Sequence, residues 1–294
     1  MKNKILSFVL ALCLIIPCAL VFTAFKDKDK KATIEAWDGT VVTVSEAVNN
    51  VITIETAEEL AGLAKSVNEG TTYAGITVKL TMDLDLKNKE WTPIGYGSSS
   101  VDDTLDTDSF AFKGTFDGQD HTIRNLKITT FVGGSITEGA ATGVGLFGLV
   151  HGATIKNFEI ERAEVKGNHY VGAAVGFARA TVIDDIDVEN VEITCTFRGG
   201  NEEGDKAGAV IGYIGNTKAS NSSVTNCEAE DSTVSAARDA GQVIGCQSTD
   251  DNGTGTVTTQ SNNEADNVIV TDNNSNNDNI NDNIRNEVVG RVRG

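Results

Sequence analysis

The sequence predicts an all-β solenoid, and three observations predict it. An apolar ladder recurs four times: Ile123, Leu126, Ile128, Phe131; Ile155, Phe158, Ile160, Ala163, Val165; Ile183, Ile186, Val188, Val191, Ile193; and Val224, Cys227, Ala229, Val234. Its internal offsets of 3, 5, 8 and 10 persist while its first members lie 32, 28 and 41 residues apart. Fixed offsets with variable spacing mark stacked supersecondary units whose insertions fall in loops. Second, glycine pairs bracket a short apolar run ahead of each of the last three copies and again after the fourth: Gly145-Leu-Phe-Gly148, Gly172-Ala-Ala-Val-Gly176, Gly208-Ala-Val-Ile-Gly212 and Gly241-Gln-Val-Ile-Gly245. Third, 30 Gly and only 2 Pro in 294 residues, with Asn, Thr, Asp and Val abundant, suit short strands joined by tight turns.

In chain order, Lys2 and Lys4 precede the uncharged stretch 5–25, and Lys26-Asp-Lys-Asp-Lys-Lys31 follows it. Residues 1–25 therefore read as an export signal or an N-terminal membrane anchor, since 21 uncharged residues exceed a usual signal core and approach a bilayer span. Residues 26–50 read as a linker and leading strand. Thr56-Ala-Glu-Glu59 is a capping box, and Leu60, Leu63, Ala64 and Val67 recur at helical spacing until Gly70, so a short helix is expected to cap the first coil. Ile76, Val78, Leu80, Met82, Leu84 and Leu86 alternate with polar residues as one strand with one buried face. The repeats occupy 51–250, and 251–294, rich in Asn and Asp, reads as a weak last coil or a disordered tail. There the ladder is expected to decay into Thr259, Asn262, Glu264 and Ile269.

Within the repeats, Asn125, Asn157, Asp185 and Asn226 follow the first ladder position by two residues. Asn and Asp tolerate left-handed backbone, so they are expected to stack as a structural ladder at one bend of every coil. The glycine pairs lack the Lys-Ser or Lys-Thr of a phosphate loop, and no dinucleotide fingerprint is formed. They let the backbone turn sharply or approach the next coil closely.

Trp91-Thr-Pro-Ile-Gly95, Phe112-Lys-Gly-Thr-Phe-Asp-Gly118, His121-Thr-Ile-Arg-Asn-Leu-Lys-Ile128 and Gly145-Leu-Phe-Gly148, in that order, resemble the bacterial GLUG-motif proteins over about residues 52–234. The resemblance implies a right-handed parallel β-helix at the cell surface or secreted, and no catalytic residues. Such repeats also accompany immunoglobulin A proteases. His121, His151 and His169, however, show no His-Glu-x-x-His zinc spacing.

The net charge of −18 argues against nucleic acid or an anionic membrane surface as partner, leaving the membrane only to the N-terminal segment. Cys195, Cys227 and Cys246 are an odd set: Cys227 reads as a buried free thiol, and a Cys195 to Cys246 bridge is an alternative. The third interval is long because two loops grow, and insertions are where function concentrates. Phe197, Arg198 and Asn201 on one insertion, with Tyr170, Phe177 and Tyr213 expected along one exposed outer face, are the candidate ligand-binding residues. Asp102, Asp103, Asp106 and Asp108 form a carboxylate-rich loop that supplies oxygen ligands of the kind calcium takes, although without a recognised spacing; no other cofactor is indicated. The expected function is non-catalytic, adhesin-like binding of an extracellular glycan or protein. A carbohydrate-active enzyme using Asp184, Asp185 and Asp187 is the rival reading, and a structural spacer the third.

Overall fold

The computed structural model describes residues 36–95, 110–130, 143–196, 206–215, 222–236, 239–248, 259–272 and 289–293, all within one unit, Glu35–Gly294. The fold is all-β with parallel strands, plus one described α-helix (α1, Ala57–Asn68). Three sheets recur along the chain. The first and largest runs in the order Val51–Ile54, Thr77–Leu80, Thr115–Arg124, Thr154–Gly167, Val182–Cys195, Ser223–Thr225, Thr259–Ser261. A second sheet stacks Phe147–His151, Val175–Arg179, Ile211–Gly215, Ile244–Ser248 and Val289–Arg293. A third stacks the short strands Gly143–Val144, Tyr170–Val171, Lys206–Gly208 and Asp239–Gly241. From Gly143 the chain passes through third, second and first sheet in turn and then begins again, so each circuit lies in register on the one before.

The offsets of the ladder have a simple cause. Ile155 pairs with Ile183 and Ile183 with Val224, and the described ladder residues are buried in one continuous core, Phe131 lying outside the described residues. Alternation alone would place inward residues at every second position. Twice within the first-sheet stretch of each circuit one residue adopts a left-handed conformation and turns the strand, adding a position: Asn157 (φ 57), Asp185 (58), Asn226 (55) and Asn262 (56) at one corner, Arg162 (58), Asn190 (56), Asp231 (45) and Asn267 (50) at the other. Steps of 3, 2, 3 and 2 sum to the offsets 3, 5, 8 and 10.

Because the 3-then-2 step occurs twice per circuit, a ladder shifted by one corner looks the same in sequence. That corrects the first copy. Ile123 pairs with Ile160 and Ile128 with Val165, while Phe116 is the partner of Ile155. A bulge between Asp117 and His121, with Gln119 and Asp120 at positive φ, displaces the copy. Asn125 accordingly belongs to the second corner, not the first: its backbone N–H donates to Glu161 O and its Oδ1 accepts from Arg162 Nε at 3.1 Å.

The register read for the tail is corrected as well. Strands Thr259–Ser261, Glu264–Asp266 and Ile269–Asp272 form a fifth circuit in which Gln260 pairs with Val224, Ala265 with Ala229 and Val270 with Val234. The inward set is therefore Gln260, Asn263, Ala265, Val268 and Val270, one residue later than the sequence suggested. Polar residues at its first two positions hide it. Asn263 takes the place below Cys227, accepting from Cys227 N at 3.1 Å and donating to Val224 O at 3.1 Å. Ile280, Ile284 and Val288, whose spacing in the sequence would suit a last capping turn, lie outside the described residues.

The expected single strand from Ile76 to Leu86 is two, Thr77–Leu80 and Leu84–Asp85, separated at a corner where Asp83 turns to meet Arg124. Helix α1 carries the predicted box: Thr56 Oγ1 accepts from Glu59 N at 3.2 Å while Glu59 Oε2 accepts from Thr56 N. Leu60, Leu63, Ala64 and Val67 are buried in the core, and Asn68 ties the helix to the next circuit by donating to Pro93 O at 3.0 Å and accepting from Gly95 N at 2.9 Å.

The paired glycines serve close approach, not sharp turning. None of them has positive φ. A Cβ on Gly176 would lie 2.1 Å from Val144 N, and one on Gly208 2.4 Å from Gly245 N. Bare backbone here lets the second and third sheets touch.

Candidate functional site: an aromatic and ionic column outside the core

That contact creates a small second cluster. On the second sheet, Leu149, Phe177, Tyr213 and Cys246 stand in one column, each from a successive circuit. On the third sheet, Gly143, Tyr170, Lys206 and Asp239 form another. The columns face each other. Tyr170 and Tyr213 stack at 4.6 Å between ring centroids and 24°, Phe177 and Tyr213 at 5.3 Å and 10°, and Tyr170 meets Phe177 at 5.3 Å. These rings are separate from the main core, packing with Ala111 and Leu149.

Lys206 is the centre of its electrostatics. Its Nζ lies 5.4 Å from the Tyr170 ring centroid, 5.2 Å from that of Tyr213 and 3.9 Å from Asp239 Oδ2. Lys206 and Asp239 are only 2% and 3% exposed. An ammonium so deeply buried is tolerated because a carboxylate and two negative ring faces replace its hydration. Arg179 closes the other end, its guanidinium carbon 5.5 Å from the Phe177 centroid. His169 sits beside Tyr170, and burial followed by the Lys206 charge pushes its pKa below the ordinary imidazole value.

The sequence expected Tyr170, Phe177 and Tyr213 on an exposed face. The structure brings all three together but buries Tyr170 (4% exposed) and Phe177 (3%), leaving only Tyr213 half-buried. The glycine-mediated contact between sheets, invisible in any one repeat, covers them. Lys206, Asp239 and Arg179 were missed. A positional signal existed: Tyr170, Lys206 and Asp239 each stand two residues before the first glycine of a pair. Phe197, Arg198 and Asn201, and the loop residues Asp102, Asp103, Asp106 and Asp108, lie outside the described residues.

The corner residues form hydrogen-bonded stacks. Asn157 Nδ2 donates to Asp117 Oδ1 at 2.9 Å, Asn226 Nδ2 to Asp184 Oδ1 at 2.8 Å, and Asn262 Nδ2 to Asn226 Oδ1 at 3.0 Å. Asp185 shares their left-handed backbone, and at the other corner Asn125 Nδ2 donates to Asp85 Oδ1 at 2.7 Å. The rival carboxylates sit on the open side of a strand. Asp184 accepts from Thr225 Oγ1 at 2.6 Å, and Asp187 is raised above the usual carboxylate range by desolvation and then by Asp185, Glu159 and Glu230.

Upstream, acids are held low instead. Burial pushes Asp83 upward, but the Thr122 N–H, His121 and Arg124 outweigh it. At Asp117 burial is outweighed by Gln119, Asn157 and Lys156. For Glu90, burial is overcome by donors from Thr129 and Thr130, which hold it at about 2.

Cys195, Cys227 and Cys246 are all buried thiols, so the Cys195 to Cys246 bridge is not formed, and burial pushes the Cys227 thiol up to about 12. Among the described residues no three His, Cys, Asp or Glu side chains are grouped to hold a metal, and no helix is long and apolar enough to cross a membrane. One cleft of about 430 Å³ lies between α1 and the edge-to-face pair Trp37 and Trp91, whose centroids are 5.6 Å apart.

No family model matches the chain. A stretch of 187 residues, 62% of the chain, is 31% identical to part of halomucin from Haloquadratum walsbyi (strain DSM 16790 / HBSQ001), and it spans 2% of that protein's length. Among solved structures the chain is similar to a protein from Bacteroides ovatus provisionally named an immunoglobulin A1 protease, at 13% identity and a TM-score of 0.37 over 83% of each chain.

Proposed function

We propose that this chain is a right-handed parallel β-helix of the GLUG type, exported to the cell surface or medium, and that it works without catalysis as an adhesin-like module for an extracellular glycan or protein. The repeated passage through three sheets in fixed order, with every circuit in register on the last, supports the solenoid reading. The likeness to halomucin supports the extracellular location.

The observation that carries the binding role is the aromatic column. Three rings from two sheets pack together, Tyr213 stacked on both of the others, with Lys206 buried against two of them, and Tyr213 alone of the three is partly exposed. A rigid aromatic edge costs little conformational entropy on binding and suits the apolar face of a sugar ring or a planar peptide group. The test is retention of the full chain on an array of glycans and matrix proteins, repeated with Tyr213→Ala. Selective retention that falls about tenfold in the variant, an effect on the order of 1.4 kcal/mol, supports the reading. No retention at high protein concentration would shift it to a structural spacer.

A further inference from the structure

The outward side chains of the first sheet change character along the stack. In the early circuits, signs alternate: Arg124 lies between Asp83 at 3.3 Å and Glu161 at 2.6 Å, Lys156 reaches Asp117 at 3.7 Å, and Lys127 reaches Glu90 at 3.7 Å. From Val182 onward two positions per circuit, continuing those of Glu159 and Glu161, are acidic and stay in register: Asp187 beside Glu228 beside Glu264, and Glu189 beside Glu230 beside Asp266. Adjacent members of each column are one strand spacing apart, about 4.8 Å. Like charges directly opposite one another on a sheet are destabilising.

Little on the facing elements offsets them. Among the described residues no Lys or Arg comes within 4.0 Å of any of these six carboxylates. The preceding circuit presents Glu159, bonded by Thr122 Oγ1, and Glu161, already paired with Arg124 and Arg162. The corners present Asp185 and Asp231, with only the neutral Asn190 amide donating to Glu189, at 2.9 Å. Lys166 is engaged one position further along, with Glu164 and Glu192. Beneath the columns the core is thin, with Cys227, Ala229 and Val234 in the fourth circuit and the partly buried Ala265, Val268 and Val270 in the fifth.

We propose that the circuits from Ser223 to Asp272 form an ionic-strength- and pH-responsive element, which closes where counter-ions or protons neutralise the paired carboxylate columns and opens where they do not. The early circuits stay closed in both conditions. The screening length of about 30 Å at 0.01 M salt shrinks to about 3 Å at 1 M, less than the spacing within a column, so salt removes the repulsion. Protons act in the same sense. Glu230 is raised by Glu228, partial desolvation, Asp266 and Asp231, and Asp187 is raised as well, so the folded circuits take up protons before the unfolded chain does.

Hydrogen exchange of the full chain, followed by mass spectrometry, tests this at pH 7 in 10 mM and in 1 M sodium chloride, and at pH 5 in 10 mM after correction for intrinsic rates. Amides of 223–236 and 259–272 should exchange at least about tenfold more slowly in 1 M salt, and more slowly at pH 5, while those of 115–128 change less than about twofold. Equal responses in the two regions, or none in 259–272, would overturn the proposal. The double variant Glu228→Gln, Glu230→Gln should lose most of the salt dependence; retention of all of it would overturn the assignment to these columns. If that variant does not fold, the wild-type comparison decides alone.

Discussion

The circuits around Thr115–Gly167 and those from Ser223 to Asp272 follow one backbone plan and are held together by different forces. In the first region Phe116 meets Phe147 at 5.1 Å and Phe158 at 5.5 Å, Phe112 meets Phe147 at 5.4 Å, and opposite charges alternate on the outside. In the second the core shrinks to Val, Ala and Cys with the single isoleucine Ile244, polar Gln260 and Asn263 enter it, and like charges line up outside. Hydrogen bonds between corners take over there, from Asn262 to Asn226 and from Asn267 to Asp231. The difference teaches that an in-register parallel stack transmits its geometry from circuit to circuit even where the packing that would justify it has thinned.

The largest expected effect breaks the better-packed region. Phe116→Ala should cost about 3–5 kcal/mol in denaturant unfolding, whereas Val234→Ala, which removes two methyl groups, should cost about 1.5–2 kcal/mol. Equal costs would mean that the two cores are alike after all. Next, Lys206→Met should cost about 3 kcal/mol because it leaves the Asp239 carboxylate buried without its ammonium; a neutral result would show that the column reorganises freely.

At the corners, Asn157→Ala should cost about 1–2 kcal/mol, combining the lost tolerance of asparagine for left-handed backbone with the lost bond to Asp117, while leaving ligand retention on the array unchanged. Asn226→Ala removes the bond to Asp184 and the acceptor for Asn262, so it should loosen the fifth circuit as well. Unchanged melting of both variants would sink the role of the corner stacks.

The smallest effects are in pH, and their signs are opposite. Asp83, Asp117 and Glu90 have lowered folded values, so the stability they contribute is present above the unfolded carboxylate range of about 4 and is lost as pH falls below it, toward about 2 for Glu90. Asp187 and Glu230 have raised folded values, so their contribution is present below about 4 and is lost as pH rises through the folded values. Exchange measured from pH 7 to pH 3 should therefore show the late circuits tightening first and the early circuits loosening last. Parallel behaviour of the two regions would remove the electrostatic contrast.

Much of this fold was legible, and the errors are informative. Copies beginning at Ile155, Ile183 and Val224 could be aligned because their spacing of apolar residues is unbroken. The first copy could not, because the Asp117 to His121 bulge mimics a shift by one corner. The last could not, because Gln260 and Asn263 satisfy their polar groups inside a stack and so defeat a rule based on hydrophobicity. Lys206 and Asp239 escaped notice because each is unremarkable within its own repeat and meaningful only beside the next.

The sequence by itself determined the local terms: the 3-and-2 stepping of a strand turned by corners that are Asn or Asp save for Arg162, the capping box of α1, the glycine pairs and the acidic excess. These depend on residues a few positions apart, whose backbone preferences act wherever the chain is. The tertiary structure decided which circuit lies on which, that glycine contact would bury Tyr170 and Phe177 outside the main core, and that the carboxylates of the late circuits would stand in register. Those outcomes join residues about 30 to 40 positions apart through loops of unequal length, and only the stacked sheets fix that pairing.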